Sequence, residues 1–342
     1  MVDTPTSARR TIPRLLLVLL ILAVILFTIP SDISLAFLQR AAVRLPDFAT
    51  IFLGIFIEAA PFLLMGTLAS GIVEVFVSQD FFARAVSHRA GLGALTGALM
   101  GLTFPVCECG VVPLTRRLLR KGLPLPAGIA FLLAAPVLNP IVIASTAAAF
   151  GWGKLLALRM GLTLLIAVIT GLVFSVAKSP WDVLRPTEWV QGNDVLQLHP
   201  QVQALSLVDR WRRVLLIAMD EFFEMGRYLV IGAMLAAAMQ VFIPQSIMLT
   251  VGQGPLLSVL VMVGLAVLLS ICSTVDAFVA LGFVGTFSPG AILAFLVFGP
   301  MVDIKSVLMY VRVFRPRPVL YLILIPLLIS VLGGLLVNYY LS

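Results

Sequence analysis

The chain has 342 residues, of which 61% are hydrophobic and only 11% charged, against roughly 45–50% and about 25% in an average soluble domain. A soluble globule is excluded, and at about 20 apolar residues per spanning helix the length holds at most about a dozen crossings. The formal net charge of +7 marks no nucleic-acid partner, because no basic patch with interleaved aromatics lies outside the apolar segments; it fits cytoplasmic loops under the positive-inside bias.

Arg9, Arg10 and Arg14 precede the first apolar run, 15 to 30. A signal peptide cleaved near Ser34-Leu35-Ala36 is one reading; an uncleaved first helix is the preferred one. Further apolar segments run about 48 to 77, 91 to 107, 126 to 150, 155 to 177, 214 to 243, 256 to 272, 289 to 311 and 318 to 340. Between the fifth and sixth of all these runs, Lys178 to Arg213 carries Pro180, Pro186 and Pro200 among Asp182, Glu188, Asp194 and Asp209, which reads as a linker. The expected organisation is an N-terminal transmembrane helix and loop (1–46), a first membrane repeat (47–178), a cytoplasmic linker (179–212) and a second membrane repeat (213–342).

The two halves repeat one another at an offset of about 165 residues. Glu58-Ala-Ala-Pro-Phe-Leu-Leu-Met-Gly66 aligns with Glu224-Met-Gly-Arg-Tyr-Leu-Val-Ile-Gly232, Cys109 with Cys272, and Ala130-Phe131-Leu132, Pro136 and Asn139 with Ala294-Phe295-Leu296, Pro300 and Asp303. Loop charge then orients them. Pro113 to Gly122 carries Arg116, Arg117, Arg120 and Lys121, whereas the matching stretch Asp276 to Gly290 has no Lys or Arg. Equivalent loops therefore face opposite sides, as in an inverted repeat. The expected fold is an all-α polytopic membrane protein: two inverted repeats, each of three spanning helices plus a re-entrant hairpin (91 to 121 and 256 to 288), with an extra N-terminal helix. The N-terminus is placed in the cytoplasm and the C-terminus outside.

Irregular backbone at membrane depth survives only where protein or a water-filled cavity satisfies it, so the Gly and Pro breaks are where a solute site is sought. Phe104-Pro-Val-Cys107-Glu108-Cys109-Gly-Val-Val-Pro113 sets two thiols and a carboxylate in such a break. Paired thiolates suit soft metals or a trivalent metalloid, so Cys107 and Cys109 are also the candidate metal ligands. As an alternative, both thiols are small buried hydrophobes. In the second half, Cys272, Ser273 and Asp276 share the matching segment, where Asp276 either joins the thiols at one cavity or caps the outgoing arm. Asn139 and Asp303 mark paired breaks and offer oxygens, although Lys305 could simply neutralise Asp303. Glu58 and Glu224 hold one repeat position, as a proton or ion relay or as residues favoured by a helix N-terminus.

Three cysteines make no disulfide framework. No phosphate-cradling glycine loop, zinc-type histidine pair or catalytic triad appears, with His88 and His199 standing alone in polar stretches. Neither an enzyme nor a cofactor is expected.

These motifs together, Phe104 to Pro113, Arg-Lys-Gly122, Ala130 to Pro140 and Cys272-Ser-Thr-Val-Asp-Ala-Phe278, resemble the predicted-permease family that includes bacterial efflux permeases for trivalent organoarsenicals. The resemblance runs from about Asp47 onward. It implies a multi-pass permease of the bacterial inner membrane, exporting a soft thiol-reactive solute such as an organoarsenical or a metal ion, with thiols that engage the arsenic. That role carries onto Cys107 and Cys109 and more weakly onto Cys272. Relatives linked to copper or zinc efflux have a small polar residue between the cysteines, where Glu108 stands here. The partners implied are a small solute and the lipid bilayer, with a homo-oligomer open. The competing readings are a membrane thiol redox or assembly partner and a passive channel.

Overall fold

A computed structural model describes residues 31–77, 86, 89–103, 106–176, 180–185, 206–242 and 254–341. The expected first helix at 15 to 30, Phe104 and Pro105, both histidines and most of the linker lie outside the described residues. The chain divides after Thr50, and the account below concerns the unit Ile51–Ser342.

The described residues are helical and include no strand. The first half contains α1 (Ser31–Phe76, its second part in this unit), α2 (Ala90–Met100), α3 (Glu108–Arg120), α4 (Leu125–Ala134), α5 (Pro140–Phe150) and α6 (Lys154–Phe174). A short turn of helix, α7 (Pro180–Val183), follows. The second half contains α8 (Leu207–Phe242), α9 (Pro255–Leu269), α10 (Asp276–Leu281), α11 (Pro289–Phe298), α12 (Ile304–Val313) and α13 (Pro316–Leu341). Among the described residues four stretches are long and apolar enough to cross a bilayer: Arg44–Phe76, Lys154–Phe174, Leu207–Val241 and Pro316–Tyr340. Between them lie α2, α4, α5, α9 and α11, apolar but too short to cross alone.

The order of elements is the same in both halves: a long helix, a short apolar arm, a break, an outgoing arm, two helices around a second break, and a long helix. The breaks follow from local chemistry. Pro140 at the first turn of α5 fixes its own φ and holds Asn139 extended (φ −120°, ψ 154°), which ends the preceding helix and makes Asn139 a cap. Asp303 does the same for α12 in a capping box with Ser306.

Packing repeats along with order. In the first half Gly171 of α6 presses on the Pro126 carbonyl, Ala94 and Ala130; in the second, Gly334 of α13 presses on the Gly290 carbonyl, Val259 and Ala294. These sets are displaced by about 164 positions. Farther along α6, Arg159 meets Thr146 of α5, so α4 and α5 lie end to end beside α6 as one broken helix. The halves also interlock, because α3 packs on α12 and α10 packs on α5. That exchange brings the break before α3 and the break before α10 into the interior.

Close backbone approach is what the small residues supply. A side chain at Gly97 would meet the Ala127 backbone, and one at Gly290 the Gly334 carbonyl, whereas Gly161 has open space around it. Gly97→Leu and Gly290→Leu are each expected to cost about 1–3 kcal/mol by overpacking, read as a lower melting midpoint and less monodisperse protein in detergent. Gly161→Ala should leave both unchanged or slightly better.

Candidate functional site

The break between α9 and α10 begins at Ser270, which caps α9 in the left-handed region (φ 47°, ψ 42°), the one described non-glycine residue with positive φ. Its carbonyl accepts a hydrogen bond from Lys305 Nζ at 2.7 Å. Lys305 reaches this point from the first turn of α12, and its ammonium also lies 3.4 Å from Asp303 Oδ2 and 3.7 Å from Glu108 Oε1. Glu108 opens α3. One ammonium therefore joins the break of the first half to both breaks of the second. All three charged side chains are 2% exposed, and at such depth a charge is tolerated only when paired and hydrogen-bonded.

The thiols surround this ion cluster. Cys107, Cys109 and Cys272 are free and buried. Cys109 lies within hydrogen-bonding reach of Cys107, and Cys272 Sγ is 4.0 Å from Glu108 Oε2. Thr274 donates to the Cys272 sulfur at 3.6 Å. Ser273 is fully buried beside it, with an Oγ that finds no hydrogen-bond partner. Tyr310 closes the cluster, its hydroxyl donating to the Met301 carbonyl at 2.9 Å. Among the described residues no three His, Cys, Asp or Glu side chains are placed to hold a metal ion, although thiols and carboxylate meet pairwise.

The remaining sequence-derived candidates fall in three places. Asp303 accepts from the Ser306 amide at 2.7 Å and from its hydroxyl at 2.6 Å through Oδ1, and turns Oδ2 to Lys305. Capping and neutralisation therefore coincide in one carboxylate. Asn139 spends its side chain within its own break, accepting from the Val142 amide and donating to the Ala135 carbonyl. Glu58 is half-buried on α1 with one oxygen lacking a hydrogen-bond partner. Glu224 lies apart from the thiols: it joins Arg116 of α3 at 3.1 Å and Arg312 of α12 at 3.1 Å. Beside it Arg117 bridges Glu74 of α1 and Glu221 of α8, and Lys121 donates to the Glu74 and Val77 carbonyls. This basic and acidic belt ties the C-terminal ends of α1, α3 and α12 to the middle of α8.

Asp276 has a partner that the motifs did not reveal. Arg159 of α6 grips both its oxygens, at 3.1 and 2.6 Å, and donates to Thr146 as well. Both side chains are almost wholly buried, at 0% and 3% exposure. The signal was available: Arg159 is the lone charge inside the apolar run 155 to 177, and a charge there needs a partner. The pair joins the first half to the outgoing arm of the second.

The matches to known proteins cover the same residues. A family model described as a predicted permease, ArsP_1, matches residues 44–339. A UPF0718 protein, YcgR of Bacillus subtilis, is 46% identical over 84% of this chain and 96% of its own length. A protein of Streptococcus mutans, provisionally named a two-component membrane permease complex subunit, is 35% identical over 84% of this chain and 94% of its own. The UPF0718 protein YraQ of Escherichia coli is 24% identical over 49% of this chain and 45% of its own. No solved structure matches the chain.

Because breaking a buried pair strands the other charge, Arg159→Met is expected to destabilise the protein by about 3–5 kcal/mol. Arg159→Met with Asp276→Leu should recover most of that loss. The check is the melting midpoint and yield of the single and double variants in one detergent; equal losses would mean that the salt bridge is not what the single change breaks.

Proposed function

Since the chain belongs to the predicted-permease family, we propose that it is a secondary carrier which moves a soft, thiol-reactive solute outward across the bacterial inner membrane. The observation that carries this reading is the meeting of the two hairpin breaks, where Cys272 faces Glu108 at 4.0 Å and Lys305 spans both. Soft sulfur ligands suit a trivalent organoarsenical or a soft metal ion. A trivalent arsenical with two hydroxyl groups exchanges them for two thiols with release of water, leaving the net charge of the cluster unchanged. Cys107, Cys109 and Cys272 are the cargo ligands in this reading, with Ser273 beside them. Glu58 and Glu224 carry coupling protons or ions, and Asn139, Asp276 and Asp303 hold the breaks open to the site.

The recurrence of element order and contacts supports two repeats of inverted orientation, with α2–α3 and α9–α10 as re-entrant hairpins and α4–α5 and α11–α12 as broken crossings. Alternating access is then a rocking of the interlocked halves about the central cluster. The provisional name of the Streptococcus mutans relative favours one addition, that a second membrane subunit completes the carrier.

Two experiments test these readings. In cells lacking their own arsenical pumps, expression should confer resistance to methylarsenite, and Cys107→Ser with Cys109→Ser should return resistance to the vector level; full resistance in the double variant would exclude the thiol mechanism. For topology, single cysteines at Trp152 and Arg315 in a background lacking the native three report sidedness. Both positions are exposed, in the α5–α6 and α12–α13 loops. An impermeant maleimide should label Trp152→Cys in intact cells and Arg315→Cys only after permeabilisation; equal labelling of both would sink the inverted arrangement.

A further inference from the structure

The interior holds an ammonium in a cage of oxygens contributed by three separate elements. The Ser270 carbonyl is unwound backbone at the C-terminal end of α9, Asp303 caps the N-terminus of α12, and Glu108 stands in the first turn of α3. Their oxygens lie 2.7, 3.4 and 3.7 Å from Lys305 Nζ. Oxygen donors of this hard type hold alkali and alkaline-earth cations, and in carriers with broken helices unwound carbonyls at half-helix ends coordinate the coupling cation.

Two further observations separate this arrangement from an ordinary ion pair. Asp303 is 1% exposed, yet its Oδ2 has no hydrogen-bond partner and is turned into the cage. The cage also places two carboxyl groups, Asp303 and Glu108, around one ammonium. In the first half the position matching Lys305 is Ile141, which is 46% exposed; the tethered charge belongs to one repeat.

We propose that the Ser270 carbonyl, Asp303 and Glu108 form a site for a small monovalent cation, and that the Lys305 ammonium occupies it as a tethered substitute. The chain carries in covalent form the charge that a free ion supplies in sodium-coupled carriers, and it closes its central breaks without one. The inference uses the reading of the breaks as the solute site only to explain why a cage stands there.

Sodium binding to the purified full-length protein, measured by scintillation proximity with radioactive sodium, tests the site without cargo. Wild type and Lys305→Arg, which keep a cation in the cage, should show no saturable binding. Lys305→Met should gain saturable binding, and Asp303→Asn in that background should weaken it by about tenfold or more, a loss of at least about 1.4 kcal/mol. If Lys305→Met is not monodisperse, Lys305→Gln, which keeps a donor for the Ser270 carbonyl, is read in the same way. Saturable binding to wild type, or none to a monodisperse Met or Gln variant, would overturn the proposal. The wild-type measurement stands however the variants fold. None of these readouts involves a cysteine or a solute, so failure here and failure of the thiol mechanism are distinguishable.

Discussion

A bilayer core offers no water to interrupted backbone, and each unsatisfied group there costs several kcal/mol. Among its described residues this chain interrupts its apolar helices four times, and everything at its centre follows from how those interruptions are satisfied. Two are closed by side-chain caps, Asn139 on α5 and Asp303 on α12. A third is closed from other helices: Lys305 supplies the Ser270 carbonyl and Gln240 of α8 the Leu269 carbonyl, at 2.7 and 2.9 Å. The fourth, before α3, is held by Glu108 in the same ion cluster. A break that is stable only because distant elements meet at it is also a place where those elements separate together, and for this reason breaks and mobile solute sites coincide.

The charges fall into two tiers with different energetics. In the interior, Lys305 with Glu108 and Asp303, and Arg159 with Asp276, are fully desolvated, so each group relies on its partner and removing one is costly. In the belt, Arg116 and Glu221 are 9% and 5% exposed, whereas Glu224, Arg117, Glu74 and Arg312 are 18 to 32% exposed, and between the more exposed groups solvent screens much of the attraction. Such pairs exchange partners at little cost. The belt joins four helices that belong to both halves, while the Arg159–Asp276 pair joins α6 to α10 in the interior.

Much of this was legible in the sequence because the repeat left its punctuation in place. Proline, glycine and cap residues marked three of the breaks, the one at Ser270 to Asp276 was placed by its alignment with the cysteine segment of the first half, and the apolar runs marked the long helices, since these signals are local. Partner identity was not local. Arg159 and Asp276 are 117 positions apart, and only the interlocking of α10 with α5 and α6 brings them together; the sequence showed that Arg159 needed a partner but not which one. Lys305 was visible as a neutraliser of its neighbour Asp303. Its second carboxylate, Glu108, comes from the other half, and its carbonyl partner from a backbone turn that no side-chain motif encodes. Glu58 and Glu224, equivalent by repeat position, end in different surroundings because the long helices on which they sit pack differently.

That difference extends to the packing of the two halves. The two halves share order, breaks and the Gly171 and Gly334 contacts, yet they are not energetically alike. α8 packs along α12, with Gly232 against the Lys305 backbone, where an added Cβ would come within 2.9 Å. The repeat-equivalent Gly66 of α1 instead presses on Gly110 of α3. Lys305 is covered as a result, while Ile141 at the matching position is 46% exposed. A carrier made of two identical inverted halves has two states of equal energy by symmetry. Under the proposed reading of the chain as two inverted repeats, a single buried lysine, satisfied in one half and without a counterpart in the other, would remove that equality.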